Sequence, residues 1–286
     1  MQEFNPELLK NLYKPASSSH KGQNGKLLII GGSQLFHAAS LWAATVASRI
    51  VDMVFYSSVE INNKIVERLK TEFRNGIIVP RSQLEHYVNE ADCILIGPGL
   101  PRGEGKEEGD DDTRELTEGL LKKYPQKKWV IDGGSLQVMD PEVLLGLKEM
   151  PILTPHRREF EILKLKSQNS KVKTAIQNSK VEEQIRIFAG EYNCVVLLKG
   201  EYDIVASSTE SVRVSGGNAG MTKGGTGDVL AGLVAALCCK NEAFLSAVAS
   251  SYINKRAGES LFQKVGIYFN ASDLANEIPI VMKNLL

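Results

Sequence analysis

The apolar positions of the chain follow two alternating patterns. Short runs in which nearly every residue is apolar are separated by longer segments whose apolar residues recur at helical spacing. Continuous apolar runs are typical of strands buried on both faces of a parallel sheet that is covered by helices. The predicted fold class is therefore α/β, with a mainly parallel central sheet flanked by helices. The runs predict strands at Lys26–Ile30, Met53–Ser57, Ile77–Val79, Cys93–Ile96, Trp129–Ile131, Pro151–Leu153 and Cys194–Leu198.

The pattern changes after the last of these strands. Residues 199–214 contain a glycine turn, the run DIVAS, a polar break and the run SVRV, which together predict a small antiparallel excursion. No linker and no internal repeat divides the chain, so we expect one domain over residues 1–286. Helical spacing is clearest at Leu41–Ile50, Gly227–Cys238, Leu245–Phe262 and Ser272–Leu286.

Charge and composition exclude one class of partner. The 286 residues include 34 Lys plus Arg and 34 Asp plus Glu, so the formal net charge is zero. Nucleic-acid-binding domains usually carry a basic excess, and an aromatic content of 7% is low for a base-stacking platform. We therefore expect no nucleic-acid partner, although a local site for a small anion stays compatible with the balance.

We also expect no membrane segment. The longest apolar run, Val229–Cys239, is shorter than the ~20 residues that cross a bilayer, and residues 1–14 do not resemble a signal peptide. These features predict a soluble, cytoplasmic protein. The cysteines form no C-x-x-C pair and are predicted to be free, buried thiols at Cys93, Cys194, Cys238 and Cys239.

Two segments look like surface insertions. Gly103–Glu118 is strongly acidic and is predicted to be a solvated loop that leads into a helix, because it lacks the calcium-loop pattern. Lys164–Lys180 is polar and basic and is predicted to be a mobile connection.

The richest candidate for chemistry is residues 216–228, GGNAGMTKGGTGD, which lead directly into the apolar helix VLAGLVAAL. Glycines let backbone N–H groups approach a ligand, and a helix N-terminus adds unpaired donors and a partial positive charge. Together they predict a phosphate site of neither the Walker nor the G-x-G-x-x-G type. The alternative is an ordinary helix entry with Asp228 near the N-cap, which would not need six glycines.

Asp228 is the candidate general base of this segment. We expect its position beside a helix N-terminus to keep the carboxylate ionised near neutral pH. A carboxylate beside a phosphate cradle suits removal of a proton from a hydroxyl that then attacks a phosphoryl group. The segment therefore predicts phosphoryl transfer to an alcohol.

With these residues in view, the chain resembles the ADP/ATP-dependent NAD(P)H-hydrate dehydratases of the ribokinase-like superfamily. The motifs occur in the same order from about residue 20 to 285: Gly31-Gly32-Ser33, Gly97-Pro98-Gly99-Leu100, Thr154-Pro155-His156 with Glu159, and GGNAGMTKGGTGDVLAG. The resemblance implies a ribokinase-like three-layer α/β sandwich. It also leads us to expect a stand-alone dehydratase domain, since only about 20 residues precede the first loop.

The resemblance implies a repair reaction. Hydrated NADH or NADPH carries a hydroxyl on the reduced nicotinamide ring, and hydroxide is a poor leaving group. The enzyme phosphorylates that hydroxyl of the S epimer with ADP or ATP and Mg²⁺, and phosphate then leaves, which restores NAD(P)H. The implied partners are the hydrated dinucleotides and ADP or ATP, with assembly as a homo-oligomer, a homotetramer by analogy. The protein ligands of Mg²⁺ stay unassigned.

The resemblance also implies residue roles. Asp228 matches the catalytic aspartate, which also contacts the hydrate, and the amides of Gly225, Thr226 and Gly227 would stabilise the transferred phosphoryl charge. Gly227 further matches a nucleotide contact, together with the turn Lys199, Gly200, Glu201, Tyr202 and Asp203. The positions that match contacts to the hydrated dinucleotide are Ala39, Gly99 and His156.

Each of these positions has a purely structural alternative. Thr154 could cap a helix with Pro155 in its first position, which would make His156 a first-turn residue. Gly97-Pro98-Gly99 could be an ordinary turn, Lys199 a solvated strand end, and Ala39 a helix-packing residue.

The chain departs from the family pattern near the expected dinucleotide pocket and leaves the phosphate loop unchanged. Arg157 and Arg158 replace a Pro-Gly pair and either meet a phosphate of the dinucleotide or are solvated. The other departures are Ala38, Pro101 and Gly134. Two further functions fit the loop: a ribokinase-like kinase of a small alcohol, such as a hydroxymethylpyrimidine or hydroxyethylthiazole, and a nucleotide-binding sensor without turnover.

Overall fold

The computed structural model describes residues 1–69, 74–102, 106–168, 174 and 179–286. Their strands are β1 (Gln2–Glu3), β2 (Lys26–Ile30), β3 (Met53–Ser57), β4 (Ile77–Ile78), β5 (Cys93–Ile96), β6 (Lys128–Ile131), β7 (Ile152–Leu153), β8 (Val195–Leu198), β9 (Asp203–Ala206) and β10 (Ser211–Val214). These strands form one sheet in the order β1-β10-β9-β8-β7-β6-β5-β2-β3-β4. The predicted strands are confirmed, four of them with one end shifted by a single residue.

The direction of the strands follows the sequence pattern. Neighbouring strands from β8 to β4 are parallel, whereas β9 pairs antiparallel with both β8 and β10. The antiparallel excursion after β8 is therefore confirmed. The short strand β1, which carries no apolar pattern, was not predicted and extends the sheet by pairing in parallel with β10.

Helices cover both faces of the sheet. They are α1 (Ala38–Ala47), α2 (Glu60–Arg68), α3 (Leu84–Glu90), α4 (Thr113–Lys123), α5 (Gly133–Val138), α6 (Arg157–Lys166), α7 (Val181–Glu191), α8 (Thr226–Cys238), α9 (Ala243–Val265) and α10 (Ala271–Leu285). The predicted helix at Leu41–Ile50 begins and ends three residues earlier than expected. The three predicted C-terminal helices are confirmed, within a few residues at their ends.

Alternate residues of the strands face two separate cores. Leu27 and Ile29 of β2 pack with α1, α8, α9 and α10, whereas Leu28 and Ile30 pack with α3 to α7. Helix α8 lies between the sheet, α1 and α9, and all its residues from Val229 to Cys238 are buried. This explains why its sequence is apolar all round. The result is the three-layer sandwich that the resemblance implied.

The two insertions differ from their predictions. In the acidic segment, Asp110 accepts a hydrogen bond from the backbone N–H of Gln34 (2.7 Å), and Asp111 forms an ion pair with Arg81 (2.7 Å). The segment is therefore braced against the protein here and is not simply a solvated loop. Helix α6 extends into the basic segment as far as Lys166, and residues 169–173 and 175–178 of that segment lie outside the described residues.

The prediction of free, buried thiols is confirmed. All four cysteines are free and buried. None of the helices in the described residues is long and apolar enough to cross a membrane.

The parallel strands bring separate sequence motifs to one edge. Strands β2, β5, β6, β7 and β8 all end at this edge, and each is followed at once by a motif residue: Gly31, Gly97, Asp132, Thr154 and Lys199. The carboxyl ends of strands in open α/β sheets are the usual place for ligands.

The packing of α8 against α1 gives a test of the fold. A Cβ atom at Gly232 would lie 2.5 Å from the carbonyl oxygen of Ala43 and 2.8 Å from Val46 Cγ1. We expect Gly232→Ala to lower the free energy of unfolding by about 1–3 kcal/mol, because backbone must move to admit the methyl group. Urea unfolding followed by circular dichroism measures the change.

The matched control is Gly119→Ala in α4, where an added Cβ meets nothing within 4 Å. There we expect a gain of about 0.5–1 kcal/mol from helix propensity. Equal effects of the two substitutions would contradict the close contact between α1 and α8.

Candidate active site

The glycine segment forms the N-terminus of α8. Gly225 is the N-cap residue with a φ of 92°, and a Cβ atom there would lie 2.3 Å from ring carbons of Trp42. Only glycine fits this left-handed, crowded position. The backbone N–H groups of Gly224, Gly225 and Gly227 have no acceptor among the residues that the structure describes. They are free to bind an anion, which supports the phosphate site.

The side chain of Thr226 stabilises the glycine segment itself. Its hydroxyl lies 2.6 Å from the carbonyl oxygen of Met221 and 2.8 Å from that of Lys223, and the side chain is buried. The hydroxyl therefore fixes the curve of the segment, and the backbone N–H of Thr226 also donates to the carbonyl oxygen of Lys223 at 3.3 Å.

Asp228 is the third residue of α8 and is not its N-cap. Burial, followed by the negative charge of Asp132, raises the pKa of Asp228 to about 7, while the ammonium of Lys199 opposes the rise. The expectation of a fully ionised carboxylate at neutral pH is therefore wrong: the cost of burial and a second carboxylate outweigh the helix terminus. A group poised near pH 7 is well suited to proton transfer.

Lys199 and Asp132 form a buried pair beside the glycine segment. The Lys199 ammonium lies 2.9 Å from Asp132 Oδ1, and the Thr154 hydroxyl donates to the same oxygen at 2.8 Å. Burial opposes the charge on Lys199, but the carboxylates of Asp132 and Glu159 outweigh it and raise the lysine pKa. The ammonium would lie 3.5 Å from a Cβ atom at Gly227. Lys199 is thus a fixed positive charge at the phosphate site and no solvated strand end.

His156 caps helix α6, a role that the structural alternative had given to Thr154. Its Nδ1 accepts the N–H of Glu159 at 3.1 Å, and the Glu159 carboxylate accepts the N–H of His156 at 2.9 Å. His156, rather than Thr154, is therefore the N-cap of α6, in a capping box. Because Nδ1 accepts, the imidazole carries its proton on Nε2, and the ring is exposed towards solvent.

Ala39 and Gly99 meet at the neighbouring part of the edge. A Cβ atom at Gly99, whose φ is 72°, would lie 3.1 Å from Ala39 Cβ. At Gly97 a Cβ atom would lie 1.8 Å from the carbonyl oxygen of Asp132, so the turn after β5 packs directly against the residue that follows β6. These glycines are required by close backbone contacts, and this turn joins Ala39 and Gly99 to the Asp132–Lys199 pair.

A cavity of about 930 Å³, here called the edge cavity, collects most of the predicted residues. It is lined by the turn after β8, the loop after β10 and the entrance of α8. Of the predicted site residues, the following line it: His156, Lys199, Gly200, Glu201, Tyr202, Asp203, Thr226 and Gly227. Gly225, Asp228, Ala39 and Gly99 lie outside its lining.

Sequence reasoning missed three groups at this site. Asn254 and Lys255 of α9 are 4% exposed and line the edge cavity. The sequence signal that could have identified these two residues is a pair of adjacent polar residues on the buried side of a long helix. The third group is Asp132, which directly follows β6 and lies two residues before the departure at Gly134.

The departures from the family pattern are accommodated without disturbing the site. A Cβ atom at Gly134 would lie 2.3 Å from the carbonyl oxygen of Leu100, so glycine is required there. Pro101 is buried and its carbonyl accepts the Thr113 hydroxyl. Ala38 is exposed at the start of α1. Arg157 and Arg158 are exposed and have no partner among the described residues.

The raised pKa of Asp228 predicts a dependence of stability on pH. The folded state holds a proton on Asp228 up to about pH 7, whereas an unfolded aspartate loses it near 3.8. Its favourable contribution is therefore present below pH 3.8 and is lost as the pH rises through 7. We expect Asp228→Asn to be more stable than the wild type at pH 8 by about 1–2 kcal/mol, with a smaller gain at pH 5.

Thermal unfolding at the two pH values measures this difference. Glu149→Gln, which removes an exposed carboxylate, serves as the control and should show the same change at both. A stabilisation by Asp228→Asn that does not grow with pH would rule out the raised pKa.

Comparisons of the sequence with known proteins identify a matching family profile and similar proteins. A family profile described as NAD(P)H-hydrate dehydratase matches residues 27–280. The chain is 37% identical over 283 residues to the bifunctional NAD(P)H-hydrate repair enzyme Nnr of Methanocaldococcus jannaschii, covering 96% of this chain and 51% of that one. It is 33% identical over 285 residues to the ADP-dependent (S)-NAD(P)H-hydrate dehydratase of Nitrosopumilus maritimus, covering 93% and 91%.

Among solved structures, the chain is similar to an ADP/ATP-dependent NAD(P)H-hydrate dehydratase of Bacillus subtilis that was co-crystallised with ATP and Mg²⁺. The TM-score is 0.78 at 21% identity, and the match covers 100% of this chain and 99% of that one. The chain spans about half the length of the first curated relatives that it matches. It has the ribokinase-like fold. By its profile match and its similarity to the dehydratase of N. maritimus, the chain belongs to the NAD(P)H-hydrate dehydratase family.

Proposed function

We propose that the protein dehydrates the S epimer of hydrated NADH or NADPH at the expense of ADP or ATP and so restores NAD(P)H. The observation that carries this proposal is the free backbone N–H groups at the entrance of α8, with the carboxylate of Asp228 and the ammonium of Lys199 beside them. The names of the relatives, which include an ADP-dependent (S)-NAD(P)H-hydrate dehydratase, supply the substrate.

In this proposal the edge cavity holds the nucleotide. The turn from Lys199 to Asp203 and the residue Gly227 surround the nucleotide, whose terminal phosphoryl group lies against the free amides of Gly225 and Gly227. Lys199 adds a positive charge beside Gly227. The hydrated ring binds at the adjoining edge, against Ala39, Gly99 and His156.

Asp228 is the general base of the first step. The ring hydroxyl oxygen attacks the terminal phosphorus, the bond from phosphorus to the bridging oxygen of the nucleotide breaks, and the hydroxyl proton passes to Asp228. The leaving group is AMP from ADP, or ADP from ATP. In the second step the C–O bond breaks with help from the ring nitrogen lone pair, phosphate leaves, and loss of a ring proton restores the double bond.

Magnesium fits this site as a partner of the nucleotide phosphates. No group of three or more metal-binding side chains is found in the described part of the chain. Mg²⁺ in phosphoryl-transfer sites takes one or two carboxylates together with substrate phosphates. Asp132 suits this role, because Oδ1 takes both of its hydrogen bonds and Oδ2 has no donor among the described residues. The ion would neutralise charge on the phosphates.

Restoration of NADH tests the proposal. Purified protein is incubated with prepared NADH hydrate, Mg²⁺ and either ADP or ATP, and the absorbance of the dihydronicotinamide is followed. We expect recovery with the wild type, and a loss of about 10²–10⁴ in kcat with Asp228→Asn, because the base is removed. The rate of the wild type should fall as the pH drops below 7, since protonated Asp228 accepts no proton.

Glu149→Gln should retain the wild-type rate. Absence of recovery while nucleotide still binds would refute the dehydratase assignment. Recovery that survives Asp228→Asn at near-full rate would refute the role of the base instead.

The hydrogen bond between Asp110 of the acidic segment and the backbone of Gln34 gives a second test of the proposal. Asp110 holds the backbone of Gln34, in the turn that precedes Ala39. We expect Asp110→Ala to raise KM for the hydrated dinucleotide by about 3–10-fold and to leave KM for the nucleotide unchanged, because only the dinucleotide edge loosens. Steady-state kinetics with each substrate varied in turn measures the split.

The control for this test is Glu108→Ala, an exposed carboxylate in the same acidic segment. An equal rise of both KM values with Asp110→Ala would contradict a local role. Assembly as a homotetramer and a cytoplasmic location, which the resemblance and the composition imply, stay predictions.

A further inference from the structure

Lys255 reaches the edge cavity from α9, and its side chain is only 5% exposed. The ammonium nitrogen lies 3.3 Å from the carbonyl oxygen of Gly200, 3.2 Å from that of Glu201 and 3.3 Å from that of Gly216. It also lies 3.3 Å from Asp203 Oδ1. The buried charge is thus surrounded by four oxygen atoms of the protein.

The three carbonyl oxygens belong to two segments of the cavity lining, here called its two walls, which lie side by side at the end of the pairing between β9 and β10. Gly200 and Glu201 lie in the turn between β8 and β9, whereas Gly216 lies in the loop between β10 and α8. The ammonium is a charged donor within hydrogen-bond distance of carbonyl groups from both walls, and charge-assisted hydrogen bonds are stronger than neutral ones. The ammonium joins the two walls.

Asp203 completes the arrangement. Its Oδ1 accepts the backbone N–H of Gly200 at 3.0 Å, and its Oδ2 accepts the hydroxyl of Ser251, also on α9, at 2.7 Å. The carboxylate therefore pairs with the ammonium, shapes the turn and is itself fixed to the helix. A buried charge pair of this kind is costly to break by removing one partner.

The ammonium of Lys255 has no donor left for a ligand. An ammonium has three N–H groups, and four protein oxygens already surround it. The neighbouring Asn254 differs, because its side-chain oxygen is buried without a partner among the described residues while the residue lines the same cavity. Lys255 therefore acts through the walls, whereas polar groups such as Asn254 are available to a ligand.

We propose that Lys255 is a positioning residue for the nucleotide: its buried ammonium holds the turn at Gly200–Glu201 and the loop at Gly216 at the separation that the nucleotide needs. This inference rests on the proposed assignment of the edge cavity to ADP or ATP. It predicts that loss of the charge weakens nucleotide binding although the side chain does not touch the nucleotide.

The test compares Lys255→Ala and Lys255→Met with the wild type by calorimetric titration of ADP and of ATP. We expect both variants to bind at least about tenfold more weakly, because each mobile wall must be ordered on binding. In steady state, KM for the nucleotide should rise by a similar factor while kcat stays within about threefold, since the groups at the entrance of α8 are unchanged.

Ammonium ions distinguish a specific role from general loss of stability. In Lys255→Ala the removed side chain leaves a space bounded by the four oxygens, so ammonium chloride should restore nucleotide binding, and tetramethylammonium chloride, which has no N–H, should not. In Lys255→Met the side chain fills that space, so neither salt should restore binding.

The matched control is Lys264→Met, which removes a lysine from the same helix and breaks its ion pair with the buried carboxylate of Glu277, 2.6 Å away. We expect it to lower the melting temperature and to leave nucleotide affinity unchanged. Wild-type affinity in both Lys255 variants would overturn the inference, as would a loss in Lys255→Ala that ammonium fails to restore. Failure of the wild type to bind either nucleotide would instead overturn the assignment of the cavity. If Lys255→Ala does not fold, the comparison of Lys255→Met with Lys264→Met decides.

Discussion

The candidate site depends on the interactions of one buried carboxylate, that of Asp132. One of its oxygens binds both the ammonium of Lys199 and the hydroxyl of Thr154, so it joins the ends of β6, β7 and β8. Its backbone meets Gly97 so closely that no side chain fits there, which adds the end of β5. Its negative charge raises the pKa of Asp228 across the gap to α8. A single residue at a strand end thus couples the geometry of four strands to the protonation of the candidate base.

Much of the fold could be predicted because burial on both faces leaves a local mark on the sequence. The run from Leu27 to Ile30 is fully buried and fully apolar, so its strand could be recognised without knowledge of its neighbours. Strand β1 left no such mark, because Gln2 and Glu3 are exposed and pair with β10, a strand that is distant in sequence. The start of α1 was misplaced because its first three residues, Ala38, Ala39 and Ser40, are small and carry no helical pattern of large apolar side chains.

The candidate site, like the fold, contains features that the sequence could predict and features that it could not. The glycine segment was recognisable because each tight approach of backbone demands a residue without a side chain, and such a demand is local. The ionisation of Asp228 was predicted wrongly, because its burial, the larger cause of its raised pKa, and the nearby charge of Asp132 both arise only when distant segments meet. The same holds for Lys255, whose four oxygen partners come from segments that the sequence separates. Structural features that depend on a single segment of the sequence could be predicted, whereas features that depend on contacts between distant segments could not.

The two-residue strand β1 stabilises part of the wall of the edge cavity. Glu3 accepts the N–H of Ser215 at 2.8 Å and the side chain of Arg213 at 3.0 Å, and the N–H of Phe4 donates to the carbonyl oxygen of Arg213. Ser215 begins the loop that Lys255 holds from the other side. The first residues of the chain and helix α9 therefore hold two adjacent residues of this wall, Ser215 and Gly216. The shape of this part of the edge cavity therefore depends on contacts made by residues 3 and 255, which lie near the two ends of the sequence.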